Sequence, residues 1–236
     1  MLSLSPNIPD NRPLRLLCLG AHCDDIEIGC GGTILNLTTA LRQLEVSWVI
    51  FSSDERRKSE AIRSYDALLT NVASRNIVIH SFRDGFLPYH GSKIKESFEQ
   101  LKDEFTPDLI LTHYRYDLHQ DHRLVSELTW NTFRDQLILE YEIPKYDGDF
   151  GSPNVFVPLD ESTCQRKIDH IIGAFQSQSE KRWFCRELFA SILRLRGMEA
   201  NSSTGYAEAF YCRKAIFPAG DKVSFLPRLA SNRDER

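Results

Sequence analysis

Two short segments hold most of the residues with which this chain could do chemistry: Ala21-His22-Cys23-Asp24-Asp25 and Asp117-Leu118-His119-Gln120-Asp121-His122. Each sets imidazoles and carboxylates two or three residues apart, the spacing from which transition-metal sites are built. His22 and Asp25 offer a nitrogen and an oxygen donor from one segment, a mixture that zinc accepts. Their neighbour Asp24 points elsewhere along an extended loop and is free to face a water molecule. In the second segment His119 and His122 lie three apart, which suits one face of a turn entering a helix. His122 could complete a set of two His and one Asp, leaving His119 beside the reacting group. Asp121 or Asp117 could then hold an imidazole from behind. Alone, the first segment also reads as capping acids beside a buried histidine; two such segments together favour a metal.

The remaining histidines carry less. His113 ends an apolar run and reads as a core or rim histidine, and His80, His90 and His170 lack partnered spacing and read as surface or packing residues. Arg123 snorkels or caps. A dinucleotide loop is the first rival for the cluster Gly29-Cys30-Gly31-Gly32. The G-x-G-x-x-G order is absent, however, and Asp24, Asp25 and Glu27 would repel a pyrophosphate. Two His and one carboxylate also form the facial set of non-haem iron oxygenases. Those commonly sit on antiparallel barrels, which the pattern below does not resemble.

Something must bring the two segments together, and the flanking elements say what. Leu14 to Gly20, Val46 to Phe51, Ile77 to Ile79 and Leu109 to Leu111 are nearly continuous apolar runs. Lacking polar alternation, they suit parallel strands covered on both faces. Between them run helical stripes: Ile34, Leu37, Leu41 and Leu44; Ile62, Tyr65 and Leu69; Ile94, Phe98, Leu101 and Phe105. Thr33, after the glycines, helps start the first of these helices. Strand–helix repetition to about residue 134 predicts an α/β fold, Rossmann-like, with a mostly parallel central sheet and helices on both faces, alternating from one crossover to the next. Both segments then directly follow strands, at the carboxyl ends where such sheets bind ligands. Further on, Leu137 to Glu142, Val155 to Val157 and Ala209 to Phe217 read as strands. Stripes at Ile168, Ile171, Ile172 and Phe175, and at Phe184, Leu188, Ile192 and Leu195, read as helices.

The 236 residues fit a single domain, with 1–13 and 231–236 as flexible tails. A formal charge of −4 leaves no electrostatic footprint for nucleic acid, and Arg56-Arg57-Lys58 reads as a solvated helix start. Six cysteines without a CxxC pair read as buried or incidental thiols. Neither a signal-peptide core nor a membrane-spanning run is present, so the expected location is cytoplasmic.

The two segments resemble the signature of the LmbE-like (PIG-L-type) zinc-dependent N-deacetylases, A-H-P-D-D before a Gly-rich turn and then H-x-D-H. A third echo is Gly205-Tyr206-Ala207-Glu208-Ala209-Phe210, close to that family's Y-A-E-x-F. Cys23 and Gln120 stand where relatives carry proline. The resemblance implies that His22, Asp25 and His122 bind zinc, with ferrous iron as the alternative. Asp24 would be the general base, His119 would stabilise or protonate the reacting centre, and Asp121 would complete the catalytic set. Arg56 and Asp84 occupy loops where relatives contact the sugar, and Asp117 is grouped with them as substrate-binding. The implied reaction releases acetate from a 2-acetamido sugar or its conjugate. Phe86, Tyr89 and Tyr146 could stack on the sugar. The contrasting expectation is a sugar-binding module that keeps the fold without turnover. A homo-oligomer is open.

Overall fold

The computed structural model describes residues 12–41 and 43–216. Most of the expected N-terminal tail, the expected C-terminal tail and Phe217 lie outside the described residues. Arg12, expected to be flexible, instead forks onto Asp108 at 2.7 and 2.6 Å.

Among the described residues seven strands form one sheet: β1 (Leu14–Gly20), β2 (Leu44–Ser52), β3 (Ser74–Phe82), β4 (Leu109–His113), β5 (Leu137–Tyr141), β6 (Val155–Leu159) and β7 (Tyr206–Tyr211). Their order is β3-β2-β1-β4-β5-β7-β6. Neighbours from β3 to β5 are parallel, and β7 lies antiparallel between β5 and β6. The helices are α1 (Asp25–Ala40), α2 (Glu55–Leu68), α3 (Gly91–Glu104), α4 (Gln120–Thr132), α5 (Glu161–Ala174) and α6 (Arg186–Glu199). None among the described residues is long and apolar enough to cross a membrane.

Both sheet faces are covered, which explains the apolar runs. Leu16 and Cys18 of β1 face a core shared with α1, α2, α5 and α6, while Leu17 and Leu19 face one shared with α3 and α4. Each such buried Leu or Phe contributes roughly 1.5–3 kcal/mol of transfer free energy. The helices therefore fall into two groups rather than alternating singly. The reason is the strand order: β1, β2 and β3 step one way, and the chain then crosses back to place β4 on the other side of β1. That reversal makes β1/β4 the switch point of the sheet.

Several element boundaries differ from the sequence expectation. A first helical segment begins at Asp25, and the glycine cluster spans a break at Cys30, after which the helix bearing Ile34 and Leu37 resumes close to the expected start at Thr33. Leu44 leaves the helical stripe because it pairs with Leu14 at the start of β2. On α2 the buried stripe is Ala61, Ser64, Tyr65 and Leu68, and Ile62 is exposed. α6 turns Phe189, Leu193 and Arg196 inward, while Leu195 is exposed and Phe184 packs edge-on to Phe189 from the preceding loop. β7 starts at Tyr206, three residues before the predicted strand.

Gly29 shows why glycines sit in α1. A Cβ there would lie 2.1 Å from Cδ2 of Tyr141, a fully buried ring whose hydroxyl donates to the Leu19 carbonyl at 2.6 Å. The ring has nowhere to retreat. Gly29→Ala should therefore destabilise the fold by about 1–3 kcal/mol, the usual cost of overpacking. A denaturation midpoint equal to that of the unchanged protein would contradict this.

Candidate metal centre

The turn after β1 and the loop after β4 meet at the switch point. The first turn is tied down by Ser52 N–H donating to the Ala21 carbonyl at 2.8 Å and by His22 N–H donating to Asp25 Oδ2 at 2.6 Å. Asp24 is the N-cap of α1 and Asp25 its first residue. The pair thus sits on a helix start rather than on the extended loop expected. In the second segment Asp117 Oδ1 accepts the His119 N–H at 2.8 Å, and His119 caps α4 by accepting the Asp121 N–H at 3.3 Å. His122 then projects from the first turn of α4.

Three donor groups converge. His22 Nδ1 is 3.2 Å from His122 Nε2 and 3.3 Å from Asp25 Oδ2, and His122 Nε2 is 3.6 Å from Asp25 Oδ1. Ligands about 2.0–2.1 Å from a tetrahedral zinc are separated by roughly 3.3 Å, so these groups could hold one such ion. His119 adds a half-buried imidazole at the edge, edge-on to His22 at 5.0 Å and stacked on His122 at 4.6 Å.

Each imidazole is gripped from behind. His122 Nδ1 is 2.9 Å from Asp117 Oδ2, which also receives Lys145 Nζ at 2.9 Å. His22 Nε2 lies 3.3 Å from Asp121 Oδ2, and Asp121 is fixed by the N–H groups of Gly85 (2.7 Å) and Leu87 (3.1 Å). Such partners set ring orientation and ligand basicity. His113, expected in the core or at the rim, is fully buried in the floor of the site. Its Nε2 accepts the Ala21 N–H at 2.9 Å and lies 3.1 Å from Asp25 Oδ2, and its ring stacks on His122 at 4.0 Å.

The electrostatics favour a cation. Burial pushes Asp25 upward, but the imidazoles of His122, His113 and His22 outweigh it and hold the carboxyl well below its ordinary range. Burial disfavours a charged His22, yet Asp25, Asp121 and Asp84 prevail and raise its proton affinity well above normal. His122 is pushed down to about 4 by burial and by His113, leaving a neutral nitrogen donor at neutral pH. Ionised carboxylates and neutral imidazoles are what a divalent ion requires, and such an ion would displace the His22 proton.

Asp24 stands apart from this cluster. It is buried, and Oδ1 accepts Arg57 Nη2 at 3.0 Å. Burial raises its proton affinity, and the Arg57 charge only partly offsets this. Asp84, with its side chain 57% exposed, bridges His22 Nε2 at 3.0 Å and Arg57 Nη1 at 3.2 Å. Exposed Phe86, Tyr89 and Tyr146 stand in the loops after β3 and β5.

Two substrate expectations need correction. Arg56 is exposed and faces Glu60 at 3.7 Å, and Arg57 is the arginine that reaches the site. Arg57 lies four residues before Ala61 on the buried stripe of α2, which turns it toward the site. Asp117 is buried with both oxygens engaged, so it supports His122 instead of meeting a substrate. Lys145 pairs with Asp149 in its own loop and with Asp117 across from it, and the second of these pairings had no sequence signal because Asp117 lies on another loop.

An open, mostly parallel α/β sheet with His and Asp donors at its switch point defines the class of protein. Residues 17–133 match the family model described as PIG-L: GlcNAc-PI de-N-acetylase, and through this span the chain belongs to the PIG-L (LmbE-like) family. Similar solved structures include the N,N'-diacetylchitobiose deacetylase from Pyrococcus horikoshii, with TM-score 0.65 and 22% identity over 83% of this chain and 82% of that one. The A40926 pseudoaglycone deacetylase Dbv21 gives 0.62 and 21% over 84% of this chain and 96% of that one. GalB, the 4-carboxy-2-hydroxymuconate hydratase from Pseudomonas putida KT2440, gives 0.65 and 14% over 88% and 99%. At these identities the likeness carries the fold, and the hydratase illustrates that one fold hosts different reactions.

Proposed function

We propose that this protein is a metal-dependent hydrolase that removes the acetyl group from a 2-acetamido sugar or its conjugate, releasing acetate and a free amine. One observation carries the reading: the carboxylate of Asp24, next in sequence to a candidate ligand, is turned aside and held by Arg57. Binding alone gives no need for such a group. The family description and the two deacetylases of like fold support the same reaction class.

His22, Asp25 and His122 would hold the ion, zinc by preference for a set of two nitrogens and one oxygen, with ferrous iron as the alternative. When bound, it would supply a Lewis acid for the amide carbonyl and acidify a water. The side chains do the rest. Asp24 accepts the proton of the attacking water, and burial raises its proton affinity above that of a free carboxylate. Arg57 keeps that carboxylate aimed. His119, at the edge of the cluster, holds the oxyanion or passes a proton to the leaving amine. Asp121 and Asp117 fix the two ligand imidazoles, and Asp84 offers an exposed acceptor to sugar hydroxyls. Cys23 has no part in this, since burial pushes its thiol far above the range in which a thiolate forms.

The test is acetate release from a panel of acetamido sugars and their conjugates, before chelation, after it, and after zinc is restored. Release that disappears on chelation and returns with zinc is expected. Cys23→Pro should keep that activity. A metal-loaded protein that releases acetate from none of the panel would overturn the proposal.

A further inference from the structure

The third motif, around Glu208, lies outside the donor cluster, yet it grips the helix that carries Asp25. α1 is broken at Cys30, whose φ of −144° and ψ of 15° are not helical. The break divides a short first segment, Asp25 to Gly29, from the remainder. Glu208 of β7 accepts the N–H groups of Gly32 at 2.7 Å and Thr33 at 2.6 Å, so its carboxylate caps the start of the second segment. Lys167 of α5 donates to the Ile28 carbonyl at 2.7 Å, at the end of the first. The two side chains meet at 2.6 Å, both almost fully buried.

Each charge matches the helix end it meets, negative at an N-terminus and positive at a C-terminus. Access also depends on Gly32, where a Cβ would stand 2.9 Å from Glu208 Oε1 and 2.5 Å from Leu159 Cδ1. A five-residue helical segment cannot hold its own direction, because isolated helices of fewer than about 12–15 residues are marginal. Its direction is therefore set by what it touches. Ile26 and Ile28 pack in the core and Ser64 donates to Glu27 along its length, and at its end Tyr141 lies under Gly29 and Lys167 on Ile28.

We infer that Glu208 and Lys167 are positioning residues: as a buried pair they splice the broken helix α1 and fix the direction of the segment bearing Asp24 and Asp25. The inference rests on the proposed reading for what those two aspartates do, but not for the splice itself.

The experiment uses the full chain with Glu208→Gln, which keeps the size of the side chain and removes its charge. Two quantities are read: hydrogen–deuterium exchange along α1 in metal-free protein, and zinc affinity by competition with a chelator. Exchange should quicken by about tenfold or more across residues 25–29 as well as at Gly32 and Thr33. Zinc affinity should fall by about tenfold or more, the range found for groups that orient ligands. Glu208→Asp, one methylene shorter, should fall between. Should Glu208→Gln fail to fold, the neutral pair Lys167→Met with Glu208→Gln is measured in the same way. Exchange that quickens only from Gly31 onward overturns the inference, as does unchanged zinc affinity in a folded variant. If the unaltered protein binds no zinc, that result counts against the metal centre, and exchange over residues 25–29 alone decides the splice.

Discussion

Asp24→Asn should give a folded, metal-loaded protein whose kcat has fallen by about 10² or more. The amide nearly copies the carboxylate in shape, and Arg57 can still donate to its oxygen. What it cannot do is accept a proton. Asp24 is suited to that step in two ways: burial raises its proton affinity, and its carboxylate is held by Arg57 rather than by the imidazoles that surround Asp25. The measurement is turnover alongside metal content and a thermal melt of the same preparation. Unchanged kcat would assign the base elsewhere, His119 being next in line by its place at the edge of the cluster.

Loss of any one donor should be more drastic for the metal. In His22→Ala, Asp25→Ala and His122→Ala, elemental analysis should find far less than the one equivalent expected of the unaltered protein. The fall should exceed the roughly 10- to 100-fold in affinity that supporting residues cost. Truncation removes a donor from a set whose members stand 3.2–3.6 Å apart, leaving two where a catalytic zinc site takes three protein ligands. Asp25→Ala also strips His113 of the carboxylate beside it. Full metal content in all three variants would dismantle the assignment. His113→Ala, which removes a floor group and no member of the set, should retain the ion.

The sequence made some of this legible and hid the rest for physical reasons. β1 and β4 could be read because a strand buried on both faces is apolar at every position, as Leu16 to Leu19 are. The donor segments stood out because imidazole and carboxylate spacing is local. The start of α1 could not be read in the same way. Gly29, Gly31 and Gly32 look like a turn, and they do flank a break at Cys30. The short helical segment before it and the helix resumed after it are explained by the ring of Tyr141 and the carboxylate of Glu208, which no local pattern shows. Arg56 was expected at the sugar from the resemblance alone, and only the fold shows that its neighbour Arg57 is the one turned to Asp24. Lys145 and Asp117 meet only across two loops, and no spacing along one chain encodes such a meeting.

The junction of β1 with β4 pairs only three residues on each side, Leu16 with Leu109, Leu17 with Ile110 and Cys18 with Leu111. It nevertheless brings together His22 and His122, which are 100 positions apart in the chain. Long-range closure of this kind comes at an entropic cost before any contact rewards it, and it slows folding. As the chain is synthesised, Asp24 and Asp25 emerge long before the imidazole that completes their cluster. No fragment ending short of residue 122 can assemble the three donors, however well β1, α1 and β2 have formed. Capture of the proposed ion would thus have to await the emergence of α4, and it would report that the crossover from β3 to β4 has closed.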